Sequence, residues 1–356
     1  MIYLDNAATT RITEPVLQSM LPFLTEQYGN PSALYGLGRN AKKAIEHAKE
    51  QVAKAIDAEP SQIFFTSGAT ESNNWVISNY DKVVSSEMEH HSISNIPVVV
   101  CLNINKMFKF KIRNTPGLVT VMLANNETGN IFDVKTLIQK AHKYGMDFHC
   151  DATAAFGKMP IDVKELDVDS LTFSGHKIHA PKGVSALYLK DPSKFRPMLY
   201  GGNQQNRLRS GTENVASIVG LGTACELHNY NPETDKLNRQ KRDKFVSAIK
   251  TIPDMIINTD LENSIATTIN ISFKGIEGES LMLLLSQEGI CVSAGSACNS
   301  GSLEPSRVLQ TMGVPEDYIY GTIRVSFSNE TTGEQLLTAA KAIKRNVDRI
   351  RGVSNV

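Results

Sequence analysis

The sequence predicts an α/β protein with a mainly parallel, buried sheet, accompanied by a second, smaller α+β domain. Helical stretches alternate with short β-rich runs as far as about residue 230, nearly every run ends in small and polar residues, and beyond that point the alternation loosens. Alternation of this kind asks for crossover helices covering both faces of a parallel sheet.

Taken in order, "GRNAKKAIEHAKEQVAKAI" (38–56) and "VKTLIQKAHKYG" (134–145) space their apolar residues near 3.6 and predict amphipathic helices. Between and after them lie "IFFTSG" (63–68), "KVVSSE" (82–87), "LVTVMLA" (118–124), "MDFHCDA" (146–152), "SLTFSG" (170–175) and "VSALYL" (184–189), each short and β-rich enough for a buried strand. The later part begins with a long polar helix, "ETDKLNRQKRDKFVSAIK", followed by strands near "TTINISF" and "TIRVSF" and a final helix. Residues 12–230 are therefore expected to form the large domain. Residues 1–11 and 231–356 are expected to form the small one.

Bulk properties narrow the function. A chain of 356 residues exceeds the roughly 250–300 residues that a single core usually reaches, which agrees with two domains. The 37 basic and 37 acidic residues cancel, so no global field favours nucleic acid or an anionic membrane. The opening "MIYLDNAATT" lacks a basic leader, and no run reaches the roughly 18 apolar residues of a membrane span, so a cytoplasmic location is expected. Cys101, Cys150, Cys225, Cys291 and Cys298 make neither a disulfide framework nor a pair of CxxC metal motifs, and reduced thiols without a metal are expected.

The strand ends carry the chemistry. "TSGATESNN" (66–74), "EMEHHS" (87–92), "ANNETG" (124–129), "DATAAFG" (151–157) and "SGHKIHAPKG" (174–183) should converge, because ligands of open α/β sheets lie at the carboxyl ends of the strands. In "FTSGATESNNWVI" the helix start, with hydroxyls of Ser67 and Thr70, suits a phosphate; Thr70 and Glu71 equally suit helix capping. Lys177 follows a strand, and Asp151 ends the run "MDFHCD". A lysine beside a phosphate cup, with an aspartate one strand away, is the constellation for pyridoxal phosphate: a Schiff-base lysine and a carboxylate partner for the ring nitrogen. In "SAGSACNSGS" (293–302) Cys298 has no bulky neighbour to bury it, which points to reactivity instead of packing, whereas Cys291 in "GICVSAG" reads as core.

These motifs, together with "YLDNAATT", "NNETG", "LRSGTEN" and "SAGSACNSGSLEPSRVL" in the same order, resemble the class V, fold-type I aminotransferase family and within it the cysteine desulfurases of the NifS and IscS type. The resemblance implies a seven-stranded sheet, pyridoxal 5′-phosphate as cofactor and an obligate homodimer. It implies that Lys177 forms the Schiff base, that Asp151 pairs with the pyridine nitrogen and that His90 stacks on the ring and assists proton transfer. Ala69, Thr70, Ser174 and His176 match cofactor and phosphate contacts, Asn126 lies near the cofactor's 3′-oxygen, and Thr212 matches a threonine reaching the phosphate of the second subunit. Arg324 in "GTIRVSF" matches the arginine that clamps the substrate carboxylate; read without the resemblance it is a surface charge at a strand edge. Cys298, on a mobile loop of about 293–303, would take sulfur from L-cysteine as a persulfide, leaving L-alanine, and pass it to an acceptor protein for iron–sulfur cluster assembly or thiolation.

The chain departs from the family in three places. Ala154 stands where a glutamine usually donates to the cofactor, Asn206 and Arg207 stand where relatives commonly have Arg then Gly, and the segment from His90 to Asn125 is short, lacking material that normally forms a strand and connection. A selenocysteine lyase, another β-eliminating lyase, an aminotransferase, or a non-catalytic docking module remain the alternative readings.

Overall fold

A computed structural model describes residues 1–103, 117–294 and 305–354, and the chain divides into two compact units. The smaller comprises Met1–Thr9, Ala124–Ile131 and Tyr230–Val356; the larger comprises Thr10–Leu123 and Phe132–Asn229.

After β1 (Ile2–Tyr3) of the smaller unit, the larger runs through α1 (Glu14–Thr25), α2 (Gly36–Ala55), β2 (Ile63–Thr66), α3 (Ala69–Ile77), β3 (Val83–Ser86), α4 (His91–Ser94), β4 (Val99–Leu102), β5 (Leu118–Thr120), α5 (Val134–Lys143), β6 (Asp147–Asp151), α6 (Val163–Leu166), β7 (Ser170–Ser174), β8 (Ser185–Leu189) and α7 (Val215–Leu227). Its seven described strands lie in the order β2-β8-β7-β6-β5-β3-β4. Among them only β8 runs against its neighbours. Strands β6 to β8 are buried on almost every residue, which explains their continuous apolar character. In α2 the buried Ala41, Ile45, Ala48 and Val52 recur at helical spacing, and in α5 Asp133 caps the start by accepting from the Thr136 N–H.

Two strands differ from expectation. β5 stops at Thr120, although the N–H groups of Val121 and Leu123 still donate to the carbonyls of His149 and Asp151. β4 is an additional edge strand beside β3. Its Val100 is exposed, so the run lacks the burial pattern of its neighbours.

The smaller unit continues with α8 (Pro232–Ile249), β9 (Met255–Ile257), β10 (Thr268–Phe273), α9 (Gly278–Gln287), β11 (Ile290–Cys291), β12 (Ser293–Ala294), α10 (Arg307–Met312), α11 (Glu316–Ile319), β13 (Thr322–Ser326) and α12 (Gly333–Ser354). An antiparallel sheet, β12-β13-β10-β9, and a parallel pair, β1-β11, share a core that includes Phe245, Ile271, Phe273, Ile323, Val325 and Ile343.

Residues 124–131, which the alternation assigns to the large domain, belong to the smaller unit by their contacts. Asn270 donates its side-chain amide to the Glu127 carbonyl at 3.2 Å, and the Thr259 hydroxyl donates to the Thr128 carbonyl at 2.7 Å. Gly129 has φ +77°, and a Cβ there would lie 3.2 Å from the Thr268 carbonyl, so both conformation and space favour glycine.

Candidate active site

Lys177 closes a single 3₁₀ turn, Gly175–Lys177, at the end of β7. The turn is held firmly. Both the N–H and the hydroxyl of Thr10 donate to the His176 carbonyl, at 2.8 and 2.9 Å, and the same hydroxyl accepts from the His179 N–H at 2.7 Å. Gly175 is enclosed: an added Cβ would meet Ala180, Leu221 and Val184 side chains at 3.1–3.2 Å. Burial, reinforced by the Lys177 and Lys182 charges, lowers His176 to a pKa of about 4, so this ring is neutral at physiological pH. Ser174, the last residue of β7, is buried.

Asp151 ends β6, whose last residues pair with β7, so the aspartate and the lysine turn leave adjacent strands on the same side of the sheet. Asp151 is held at both oxygens. Oδ1 accepts from the Thr153 N–H and Oδ2 from Asn73 Nδ2, each at 2.9 Å. Asn73 is fully buried in α3 and also donates to Ser92 Oγ at 2.9 Å, while its Oδ1 lies 3.0 Å from His149 Nε2. His149 sits two residues before Asp151 and so faces the same way along the strand; its Nδ1 lies 2.9 Å from Ser170 Oγ. Burial keeps His149 well below the ordinary histidine range despite the Asp151 charge and the Ser170 hydrogen bond.

His90 caps α4. Its Nδ1 accepts from the Ser92 N–H at 3.1 Å and lies 2.9 Å from Ser92 Oγ. Burial lowers its pKa; the Asp151 charge opposes this shift, and the charges of His91 and Lys177 add to it. Asp151 and Lys177 are thus each within electrostatic reach of His90, in one unit. The hydroxyls of Thr153 and Thr172, the latter paired in register with Asp151, are buried without a hydrogen-bond partner among the described residues.

Gly68 precedes α3 in extended conformation and supplies no side-chain cap, while Ala69 and the exposed Thr70 form the first turn. Glu71 is not free to cap that turn. It accepts from the Ser67 N–H and from two Arg209 nitrogens at 2.9 and 3.1 Å; burial acts to raise its pKa, but these bonds prevail and hold the carboxyl below its usual value. Thr212 is exposed in the loop beyond Arg209. In that loop Gln205, Asn206 and Arg207 all have φ between +45° and +67°, so Arg207 carries a backbone that glycine favours.

Asn126 and Arg324 lie in the smaller unit. Arg324 occupies β13 between β10 and β12 and is only 7% exposed, which corrects the reading of it as a surface charge at a strand edge. It donates from Nη2 to Asp5 Oδ1 at 2.9 Å and from Nη1 to the Asn126 carbonyl at 3.1 Å, whereas its buried Nε has no partner among the described residues. Cys291 on β11 is half-buried, not a core residue. Cys298 and most of its predicted loop lie outside the described residues.

The fold and the lysine–aspartate pair define a fold-type I enzyme framework, and the chain belongs to the class-V aminotransferase family, whose model matches residues 2–338. Enzymes of this family work with pyridoxal phosphate. More narrowly, the chain is 40% identical to the cysteine desulfurase IscS of Methanosarcina thermophila over 99% of this chain and 93% of that protein. A solved NifS-like protein superposes with a TM-score of 0.89 at 34% identity, covering 98% of this chain and 99% of that one. A structure of SspA in complex with cysteine superposes with a TM-score of 0.81 at 31% identity, covering 93% of this chain and all (100%) of that one.

Asn73, His149, Ser92, Thr10 and Arg209 were not singled out from the sequence. A signal exists for two of them: Asn73 is three residues after Thr70 on a helix, and His149 is two before Asp151 on a strand.

Proposed function

We propose that the protein is a pyridoxal 5′-phosphate-dependent cysteine desulfurase. The reading rests on the gathering of Lys177, Asp151 and His90 at neighbouring strand and helix ends in a chain of this family. The donor set fits the cofactor: a lysine amine, a buried carboxylate whose oxygens each accept one hydrogen bond from the described residues, a helix start with no side-chain cap, and hydroxyls of Thr153 and Thr172 that have no partner among the described residues. Ala69, Thr70, Ser174 and His176 would hold the phosphate and ring edge, Asn126 the 3′-oxygen side, and Thr212 would serve the second protomer of a homodimer. When bound, the cofactor supplies an electron sink that weakens the carbon–sulfur bond of L-cysteine.

The remaining chemistry belongs to the chain. Lys177 anchors the cofactor and exchanges a proton with the substrate carbon, Asp151 keeps a negative charge facing the ring nitrogen, and Arg324 receives the substrate carboxylate. Cys298 Sγ attacks the substrate sulfur. The S–S bond forms as the C–S bond breaks, the C–S electron pair stays with carbon, and a proton completes the methyl group of L-alanine. Ala154 offers no side-chain donor, so orientation would come from Asn73 and Thr153, which hold the Asp151 carboxylate that would face the ring nitrogen. The persulfide then passes to an acceptor protein for cluster assembly or thiolation. A cytoplasmic site of action fits a chain in which no described helix is long and apolar enough to cross a membrane and the described cysteines are free thiols.

The test is turnover of L-cysteine by the purified holoenzyme under reductant, with alanine and sulfide quantified and the persulfide trapped on one thiol. Cys298→Ser should abolish sulfide release and retain the cofactor absorbance. Full activity in that variant would remove Cys298 from the mechanism, and keto-acid-dependent product formation without sulfide would indicate a transaminase.

A further inference from the structure

The hydrogen bonds around Asn73 have only one consistent assignment of protons. A carboxylate accepts and cannot donate, so the Asn73 atom 2.9 Å from Asp151 Oδ2 must be the amide nitrogen, and its second proton goes to Ser92 Oγ, also at 2.9 Å. Asn73 Oδ1 therefore faces His149, and His149 Nε2, 3.0 Å away, must be the donor. With His149 neutral, its Nδ1 has a lone pair that accepts from the Ser170 hydroxyl.

The same logic runs in the other direction. Because the Ser92 N–H donates to His90 Nδ1 at 3.1 Å, that nitrogen carries a lone pair, and the Ser92 hydroxyl, which accepts from Asn73, sends its own proton to the same nitrogen at 2.9 Å. Two donors converge on one ring nitrogen. We infer that Asn73 and Ser92 are positioning residues that set the tautomer of His90, holding Nδ1 as an acceptor so that the neutral ring carries its proton on Nε2. His90 then enters the reaction as a hydrogen-bond donor through Nε2, the ring nitrogen not engaged in capping α4. Forming the imidazolium would place a third proton against the two donors at Nδ1. The groups bearing charge on His90 are Asp151 from β6, His91 from α4 and Lys177 from the β7 turn. A base is still needed at the substrate carbon, and it falls to the Lys177 amine.

This inference deepens the role given to His90 above and depends on that reading only for its catalytic meaning, because the tautomer is observable without turnover. The experiment is two-dimensional long-range ¹H–¹⁵N NMR of the ¹⁵N-histidine-labelled holoenzyme, with the His90 signals identified by their loss in His90→Asn. Nδ1 should resonate as an unprotonated acceptor and Nε2 as a protonated nitrogen across neutral pH. Ser92→Ala keeps the backbone donor and removes the hydroxyl, and should lower the ratio of the Nε2–H to the Nδ1–H form by about fivefold, the worth of one neutral hydrogen bond. Ser92→Thr should restore it. A wild-type His90 that carries its proton on Nδ1, or is an imidazolium at neutral pH, overturns the inference, as does an Ser92→Ala variant with an unchanged ratio. Failure of cysteine turnover with the tautomer as stated would instead count against the desulfurase reading alone.

Discussion

The larger and smaller units hold their functional groups in different ways. In the larger, the buried Asn73, Ser92 and His149 link the buried Asp151 carboxylate to the exposed His90 ring through neutral hydrogen-bonding groups. In the smaller, Arg324 is a buried cation held by one carboxylate, Asp5, and one carbonyl, Asn126. The first arrangement fixes proton positions. The second keeps a charge neutralised while leaving one guanidinium nitrogen without a partner among the described residues, as the proposed capture of the substrate carboxylate would use.

The largest expected effect breaks the larger unit's side of this contrast. Lys177→Ala should lower kcat by at least on the order of 10²–10⁴-fold, the range for removing a positioned proton-transfer group, and should also lose the absorbance of covalently bound cofactor. Arg324→Lys tests the other side. It preserves charge and loses the planar fork, so kcat/KM for L-cysteine should fall roughly 10- to 100-fold, mostly through KM, as steady-state kinetics would reveal. If both variants altered kcat alone, the division between chemistry and substrate capture would be wrong.

Glu71→Gln sharpens the comparison by pH. Folding holds the Glu71 carboxyl below its ordinary value, so its stabilisation is present above the unfolded range of about 4.3 and is lost as pH falls through the folded value. The variant should be less stable than the parent by about 1–3 kcal/mol at pH 7 in urea unfolding, and the difference should shrink toward zero at acid pH. Arg207→Gly is the smallest change. Relieving one left-handed non-glycine residue should stabilise the larger unit by about 1 kcal/mol, with cysteine turnover unaltered.

Helices α2 and α5 were legible because burial of one face imposes a helical period on them, and the central strands because burial on both faces leaves short, continuous β-rich runs; β6 and β7 bring Asp151 and Lys177 to neighbouring strand ends as the sequence predicts. The edge strand β4, with its exposed valine, was not singled out. The allegiance of residues 124–131 depends on Asn270 and Thr259, more than a hundred positions away, and local pattern carries no trace of pairs so distant. Asn73 escaped for a related reason. A buried asparagine and an exposed one are spelled alike, and only the fold reveals that this one bridges a carboxylate, a serine and a histidine.

The left-handed run at Gln205 has a consequence beyond strain. It delivers the Gln205 amide to Phe65 on the edge strand β2, where Oε1 accepts the backbone N–H and Nε2 donates to the carbonyl, both at 2.7 Å. A side chain thus imitates one rung of a neighbouring strand, and the border of the sheet offers no open rung there to another molecule. Contorted backbone thus leaves Phe65 on this edge already paired in the folded protein.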